Sequence, residues 1–472
     1  AGWGAAILLG LLFFGANLSL LVVAFGKALL LALYVLYIIW MALFLYHVVS
    51  AAGSIEAIGQ ELPKFASDRS AQVLLLAWVF GSFLQGASGF GVPAAVVAPL
   101  LVGLGFHPNI AVASALIGHA WAVVFGSLGS SFFALLAASG EAGDSLAGPQ
   151  GIYAGIAAFL CGILVLWTTE KWEALKERGL TLIAISILMG ITQYGIAIAG
   201  FWTLAAFGAG GIGLIGMLLL LLSQNRKIEA GSGQALFNAF IPYIILTVII
   251  VAGRTILSEP LNLVVLNYNF PEVSTASGWV TAAGPGRSIS LFGHAGALLL
   301  YSTLIAYGWF IWRGTLNGKS LDFGDLVWRT VKRSRKTTIS VITLVAMAAV
   351  MQHTGMTQQL AETLSNTGAA FPFLSPYIGA LGAFMTGSNT NSNVVFGELQ
   401  RSTALALNMS IPYMLAAQTT GGAIGSAFAP AKVVVGVSTV EGAEDGPVLR
   451  LATMYGLIIV TLIGVINFFV AG

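Results

Sequence analysis

Apolar runs of about twenty residues recur along the whole chain, each long enough to cross ~30 Å of hydrocarbon as a helix. Crossings are predicted at 5–25, 28–49, 109–137, 151–168, 180–199, 201–223, 236–258, 294–313, 338–356, 411–431 and 450–471. Of 472 residues 57% are hydrophobic and only 8% charged, and the charges gather between the runs. That pattern specifies an all-α polytopic membrane protein. A formal charge of +2 gives no basis for nucleic-acid binding. Cys161, the single cysteine, lies inside an apolar run. An internal disulfide is therefore excluded, and no CxxC or CxxH spacing marks a structural metal site.

Two segments break the pattern. Residues 71–106 and 372–406 each hold two short apolar arms around a polar, glycine-rich stretch: GSFLQGASGFGV at 81–92 and GAFMTGSNTNSN at 382–393. Lipid tolerates non-helical backbone only where it lines a protein-enclosed cavity, so each segment reads as a re-entrant hairpin that enters and leaves on one side. Segments 52–70 and 357–370 mix Glu, Gln, Lys and Ser with spaced apolar residues and read as interfacial helices leading into the hairpins.

Seven Lys/Arg lie between Arg313 and Lys336, three between Lys171 and Arg178, and two at Arg226-Lys227, whereas 138–150 holds Glu141 and Asp144 with no basic residue. With the basic loops cytoplasmic, Ala1 starts inside and Gly472 ends outside. The order crossing, interfacial helix, hairpin, crossing with a polar middle and terminal crossing occurs twice, as 28–168 and 338–471. Gly-x-Phe-x-x-Gly stands in register in both hairpins. Sliding 81–130 by 301 positions gives only seven identities, so the repeat rests on element order and not on identity. Seven crossings separate 5–25 from its equivalent 294–313, and an odd number reverses orientation. The expectation is inverted-topology repeats, each with a re-entrant hairpin and a broken transmembrane helix, the plan of an ion-transporter-like secondary transporter. The first repeat covers 1–168, linking helices 169–235, and the second repeat 236–472. Segment 236–258 lacks a partner in the first half, which predicts a further crossing upstream of Ala1.

On this plan two hairpin tips meet near the midplane beside crossings with polar middles, at Gly118, His119 and Trp121 in the first half and Gln418 to Gly422 in the second. Half-helix N-termini carry unpaired N–H groups and partial positive charge, so they hold a carboxylate without a buried lysine. Gly86, Gly89, Gly91 and Gly387 allow close backbone approach, and the hydroxyls and amides around them suit a hydroxyl or keto oxygen. The candidate substrate-binding residues are Gln85, Ser88, Gly89, Phe90, Gly91, Ser388, Asn389, Thr390, Asn391, Ser392, Gln418, Thr419, Thr420 and Gly421. No cofactor is expected beyond a coupling ion.

At these residues the chain resembles the bacterial L-lactate permease family of proton-coupled lactate and glycolate transporters. The resemblance rests on GSFLQGASGFGVPAAV at 81–96, LLVGLGFHP at 100–108, SNTGAAFPFLSPYIGALGAF at 365–384, TGSNTNSNVVF at 386–396 and AAQTTGG at 416–422. It implies a multi-pass protein of the bacterial cytoplasmic membrane. It also implies symport of a 2-hydroxy monocarboxylate with a proton, by an elevator-like or related alternating-access movement, and the extra N-terminal crossing. Where familiar members have a glutamate in the first hairpin this chain has Gln85, and where they have an aspartate in the second it has Asn389. Neither amide carries a proton, so coupling falls to another group. His119, ionisable and mid-crossing, is the candidate. The Ser388-Asn389-Thr390 triplet also resembles the sodium-site motif of dicarboxylate/sodium symporters, which keeps Na+ as the alternative coupling ion.

Plainer readings stand beside these. His119 equally suits a helix–helix hydrogen bond, and Ser88 and the hairpin glycines close packing. Lys432 either attracts an anion or snorkels to the interface. Glu398 and Arg401, at i,i+3, are expected to pair, and Gln193 and Tyr194 to bond a neighbouring helix. Gly86-Ala87-Ser88-Gly89 matches the GxSG signature of rhomboid intramembrane proteases, with His119 available as base. An anion channel is the third alternative. The oligomeric state is not written in the sequence.

Overall fold

The computed structural model describes residues 2–66, 68–89, 91–223, 232–314 and 322–471. Among them eleven helices are long and apolar enough to cross a membrane. The first boundary falls elsewhere than expected. The two crossings at 5–25 and 28–49 are instead a short helix, Gly2–Phe13, and a 34-residue helix, Leu18–Ala51, with Gly26 and Lys27 inside the second. Gly15 takes a positive φ of 66°, and the Leu20 N–H donates to Asn17 Oδ1 at 2.9 Å. A left-handed glycine followed by an Asn cap is a stronger helix boundary than Gly-Lys within an apolar run.

A segment without a reading in the sequence supplies a landmark. Val265–Leu266 pairs with Ile289–Ser290, Asn269–Phe270 with Gly284–Pro285, and Val273–Ser274 with Val280–Thr281, making one antiparallel ribbon. The ribbon joins the end of Ser232–Arg254 to the start of Ala295–Trp312. It touches the Gly15 carbonyl through the Ala276 N–H (2.7 Å), and Thr281 Oγ1 lies 3.1 Å from His353 Nδ1. Helix ends thereby sort into a ribbon face and an opposite, basic face that begins at Arg313.

Both hairpins form, and they enter from opposite faces. The first runs in through Arg69–Val73, a π-helical Leu74–Phe80 and Gly81–Ala87, and out through Val92–Gly103. Arg69 Nη2 donates to the Gly105 carbonyl at 2.8 Å and closes its base, while the adjacent Asp68 pairs with Arg178 of the basic face. The second comprises Phe371–Thr386 and Asn389–Ala406, reached from His353 by Met356–Ser365 on the ribbon face. Arg401 on its outward arm bonds Glu141 at 2.7 Å, with Glu398 more distant at 3.7 Å, so the expected i,i+3 pair is the weaker partner.

The crossings beside the tips break differently. The first divides into Pro108–Gly118, a 3-10 turn at Ala120–Val124 and Gly126–Ser139. The second, expected as a broken helix over 411–431, is helical through its polar middle, Gln418 to Gly422. Its break lies at Phe428 and Ala429, between Ile411–Ala427 and Pro430–Val437. Pro430 cannot donate and bars Ala429 from the helical region, and Ala429 sits at ψ 131°. Polar side chains at 418–420 do not break the helix because other side chains satisfy them. Gly421 lies against the Pro376 backbone so closely that a Cβ would overlap it. Small residues at such crossings let backbones meet in the absence of any hydrophobic drive between helices. Gln193, expected to bond a neighbouring helix, is buried with no partner for either side-chain atom among the described residues.

Candidate functional site

The two tips share a cavity of about 500 Å³. Residues 386–391 of the second hairpin form one wall, Gln85 and Gly91 of the first another. Ser127 and Ser131 of the first broken crossing, Lys432 of the second, and Arg333, Lys336 and Ser340 of the long helix Phe323–His353 complete it. No aspartate or glutamate is among the described lining residues.

The second tip is built for hydrogen bonding. Gly387 turns the chain at φ 71°, and Ser388 caps Asn389–Ala406 by accepting the Asn391 N–H at 3.3 Å. The first turn of that helix therefore starts at the cavity wall, where its N–H groups and dipole favour an anion. Asn389 Nδ2 donates to Thr419 Oγ1 (3.1 Å), Thr390 and Ser131 hydroxyls lie 3.2 Å apart, and Asn391 Nδ2 donates to Ser340 Oγ (3.1 Å). Asn391 Oδ1 and Gln85 Oε1 have no partner among the described residues. Lys432 Nζ donates to Ser426 Oγ at 2.8 Å and pairs with no described carboxylate. A cationic cavity with free acceptors and donors suits a small anion that also carries a hydroxyl.

The family model for L-lactate permease matches residues 1–472. The chain belongs to the L-lactate permease family. It is 26% identical over 481 residues to the L-lactate permease of Bacillus subtilis (strain 168), covering 92% of this chain and 84% of that one. It is 27% identical over 483 residues to the glycolate permease GlcA of Escherichia coli (strain K12), covering 91% and 83%. Among solved structures it is similar to the Alcanivorax borkumensis YdaH transporter, at TM-score 0.50 and 13% identity, over 96% of this chain and 87% of that one. At that identity the likeness is one of fold. This permease-family chain is a multi-pass bacterial inner-membrane transporter and not an enzyme. Consistently, the Ser88 hydroxyl donates to the Leu84 carbonyl (2.8 Å) and His119 Nδ1 meets the Ala115 carbonyl (2.5 Å), so the serine–histidine pair of a rhomboid is not formed.

Six of the sequence candidates stand on the permease cavity wall: Gln85, Gly91, Ser388, Asn389, Thr390 and Asn391. Ser392, Gln418, Thr419 and Thr420 stand behind it. Gln418 Nε2 donates to Ser392 Oγ (3.1 Å), Asn393 Nδ2 to Thr419 Oγ1 (2.8 Å) and Gln150 Nε2 to Thr420 Oγ1 (3.0 Å), so they brace the wall. Ser88, Gly89, Gly421 and His119 do not line the cavity. Phe90 lies outside the described residues. His119 is fully buried behind the first hairpin, its Cβ near Gly81, and its Nε2 has no partner among the described residues.

Ser127, Ser131, Arg333 and Lys336 were not anticipated, and Lys432 was open between two roles. Ser127 (φ 50°) and Leu128 (φ 54°) are left-handed non-glycine residues, each at a cost of ~1–2 kcal/mol. They persist because the first tip is pressed against them: a Cβ at Gly89 would overlap Ser127 Oγ, and one at Gly126 would sit 2.6 Å from Gln85 Nε2. Arg333 and Lys336 read as loop charges in the sequence. Their i,i+3 spacing continues into the crossing after them, and that continuity was the available signal.

Proposed function

We propose that this chain is a secondary transporter of short 2-hydroxy monocarboxylates, lactate and glycolate, moved with a proton by alternating access. The single observation that carries the reading is the cavity itself: Lys432 within, Arg333 and Lys336 at its exposed mouth, no carboxylate among its described lining, and hydroxyl and amide groups on the second tip. A carboxylate would face the lysine and the helix N-terminus, and a 2-hydroxyl would meet the amides. The names of the relatives from Bacillus subtilis and Escherichia coli agree with that chemistry. Hydrogen bonds from Asn391 to Ser340 and between Thr390 and Ser131 hold the second tip against its neighbours, and their exchange for another set fits an alternating cycle. We assign the inverted repeats to 1–168 and 236–472, and proton coupling to His119, which stands behind the hairpin whose tip enters the cavity.

Counterflow of lactate and glycolate in proteoliposomes, with imposed pH or sodium gradients, tests this. Exchange of both anions and accumulation driven by external acid are expected. Accumulation driven by sodium alone overturns proton coupling, and failure of both anions to exchange overturns the substrate class. His119→Gln is expected to keep exchange and lose acid-driven accumulation. Full accumulation in that variant would remove His119 from coupling.

A further inference from the structure

We propose a second small-carboxylate site on the ribbon face, formed by Arg254, Arg287 and His294, which gathers substrate before it descends to the central cavity. The choice of carboxylate rests on the function proposed above. These three residues are the last of Ser232–Arg254, a member of the ribbon's returning strand region, and the cap of Ala295–Trp312. They converge on a cavity of about 470 Å³ beneath the ribbon.

Neither guanidinium is paired with a carboxylate among the described residues. Each lies over an aromatic ring instead: Arg287 Cζ is 4.2 Å from the Tyr34 ring centroid and Arg254 Cζ 6.0 Å from that of Trp202. An arginine held this way keeps its in-plane N–H donors for a bidentate anion. His294 is 5% exposed, stacked on Tyr37 at 5.1 Å and edge-on to Tyr34 at 4.5 Å. Its Nδ1 accepts the Gly296 N–H at 3.1 Å. With Nδ1 accepting, the ring proton sits on Nε2, a buried donor with no partner among the described residues. Two unpaired guanidiniums and one unused N–H thus surround a cavity with no carboxylate in its described lining.

The position suits a waiting site. Arg287 and Gly286 also line a neighbouring cavity of about 330 Å³ that holds Lys27 and His353. That second space reaches Val394, Val395 and Glu398 on the arm of the second hairpin whose first turn walls the central cavity. Arg287 therefore stands between the ribbon face and that arm.

The test is sided transport of lactate by the full chain in proteoliposomes of sorted orientation. In Arg254→Gln/Arg287→Gln the KM from the ribbon face is expected to rise about tenfold, with the KM from the basic face unmoved and the rise shrinking in about 0.5 M salt. An unchanged ribbon-face KM, or an equal rise from both faces, would overturn the site, the second outcome marking a structural role. A rise seen only in vesicles containing anionic lipid would assign the arginines to a headgroup and also overturn it. If the unaltered chain carries no lactate in either direction, the transport reading fails instead. The site is then judged by acetate binding, read as a change in tryptophan fluorescence that Arg254→Gln beside Trp202 removes; fluorescence unresponsive to acetate would overturn it.

Discussion

Among the described residues, the first hairpin reaches the central cavity with one amide and one glycine, Gln85 and Gly91, whereas the second delivers four consecutive polar residues, Ser388 to Asn391. Ser88 at the first tip is satisfied by the Leu84 carbonyl of its own arm. Ser388 at the second caps the helix that faces the cavity. The first tip is seated by close contact, Gly89 against Ser127 and Gly118 of the neighbouring crossing against the Ala77 backbone. The second is seated by hydrogen bonds to Thr419, Ser131 and Ser340. The two hairpins thus divide by how they are seated: shape for the first, polar contacts for the second.

Four substitutions probe that division. The largest effect is expected from Lys432→Met, which removes a cation from the polar half. Loss of one charged hydrogen bond of ~2–3 kcal/mol predicts a fall of about 30- to 160-fold in kcat/KM for lactate uptake. Uptake near the unaltered level would shift anion recognition to Arg333 and Lys336. Next, Asn389→Ala strips the second tip of the amide bonded to Thr419 and is expected to lower uptake about 10- to 30-fold, ~1.5–2 kcal/mol, with the folded yield kept. An equal loss in Gln85→Ala would erase the contrast between the tips. Smaller again, Ser127→Gly relaxes a left-handed position and is expected to raise thermal stability by ~1 kcal/mol. Transport should hold within about twofold if the first half supplies shape; a collapse of transport with stability intact would give the Ser127 hydroxyl a recognition role. Least of all, Arg401→Gln loosens a partly exposed ion pair at the base of the second hairpin and should cost at most ~1 kcal/mol in a denaturation midpoint.

The hairpins and their polar tips were legible because lipid leaves few meanings for a glycine- and asparagine-rich stretch between apolar arms. The second broken crossing was legible as 411–431, and Pro430 marks its break at 428–429, while the polar Gln418 to Thr420 stay helical. Those side chains bond laterally, to Ser392, Asn389 and Gln150, and such partners are invisible along one helix. Gly26-Lys27 read as a boundary for a related reason: in an all-apolar environment hydrophobic periodicity fades, and only the Gly15 turn and Asn17 cap distinguish the true end.

From sequence alone came the membrane class, the opposed hairpins and the polar character of the second tip, since each follows from how hydrocarbon treats an unsatisfied backbone group. Tertiary structure decided which polar groups face the cavity and which brace it. It also brought Lys432, Arg333 and Lys336 to one space, and Arg254, Arg287 and His294 to another. The physical reason is that a charge in a membrane protein takes its meaning from what surrounds it in three dimensions, and its partners, or their absence, lie on other helices.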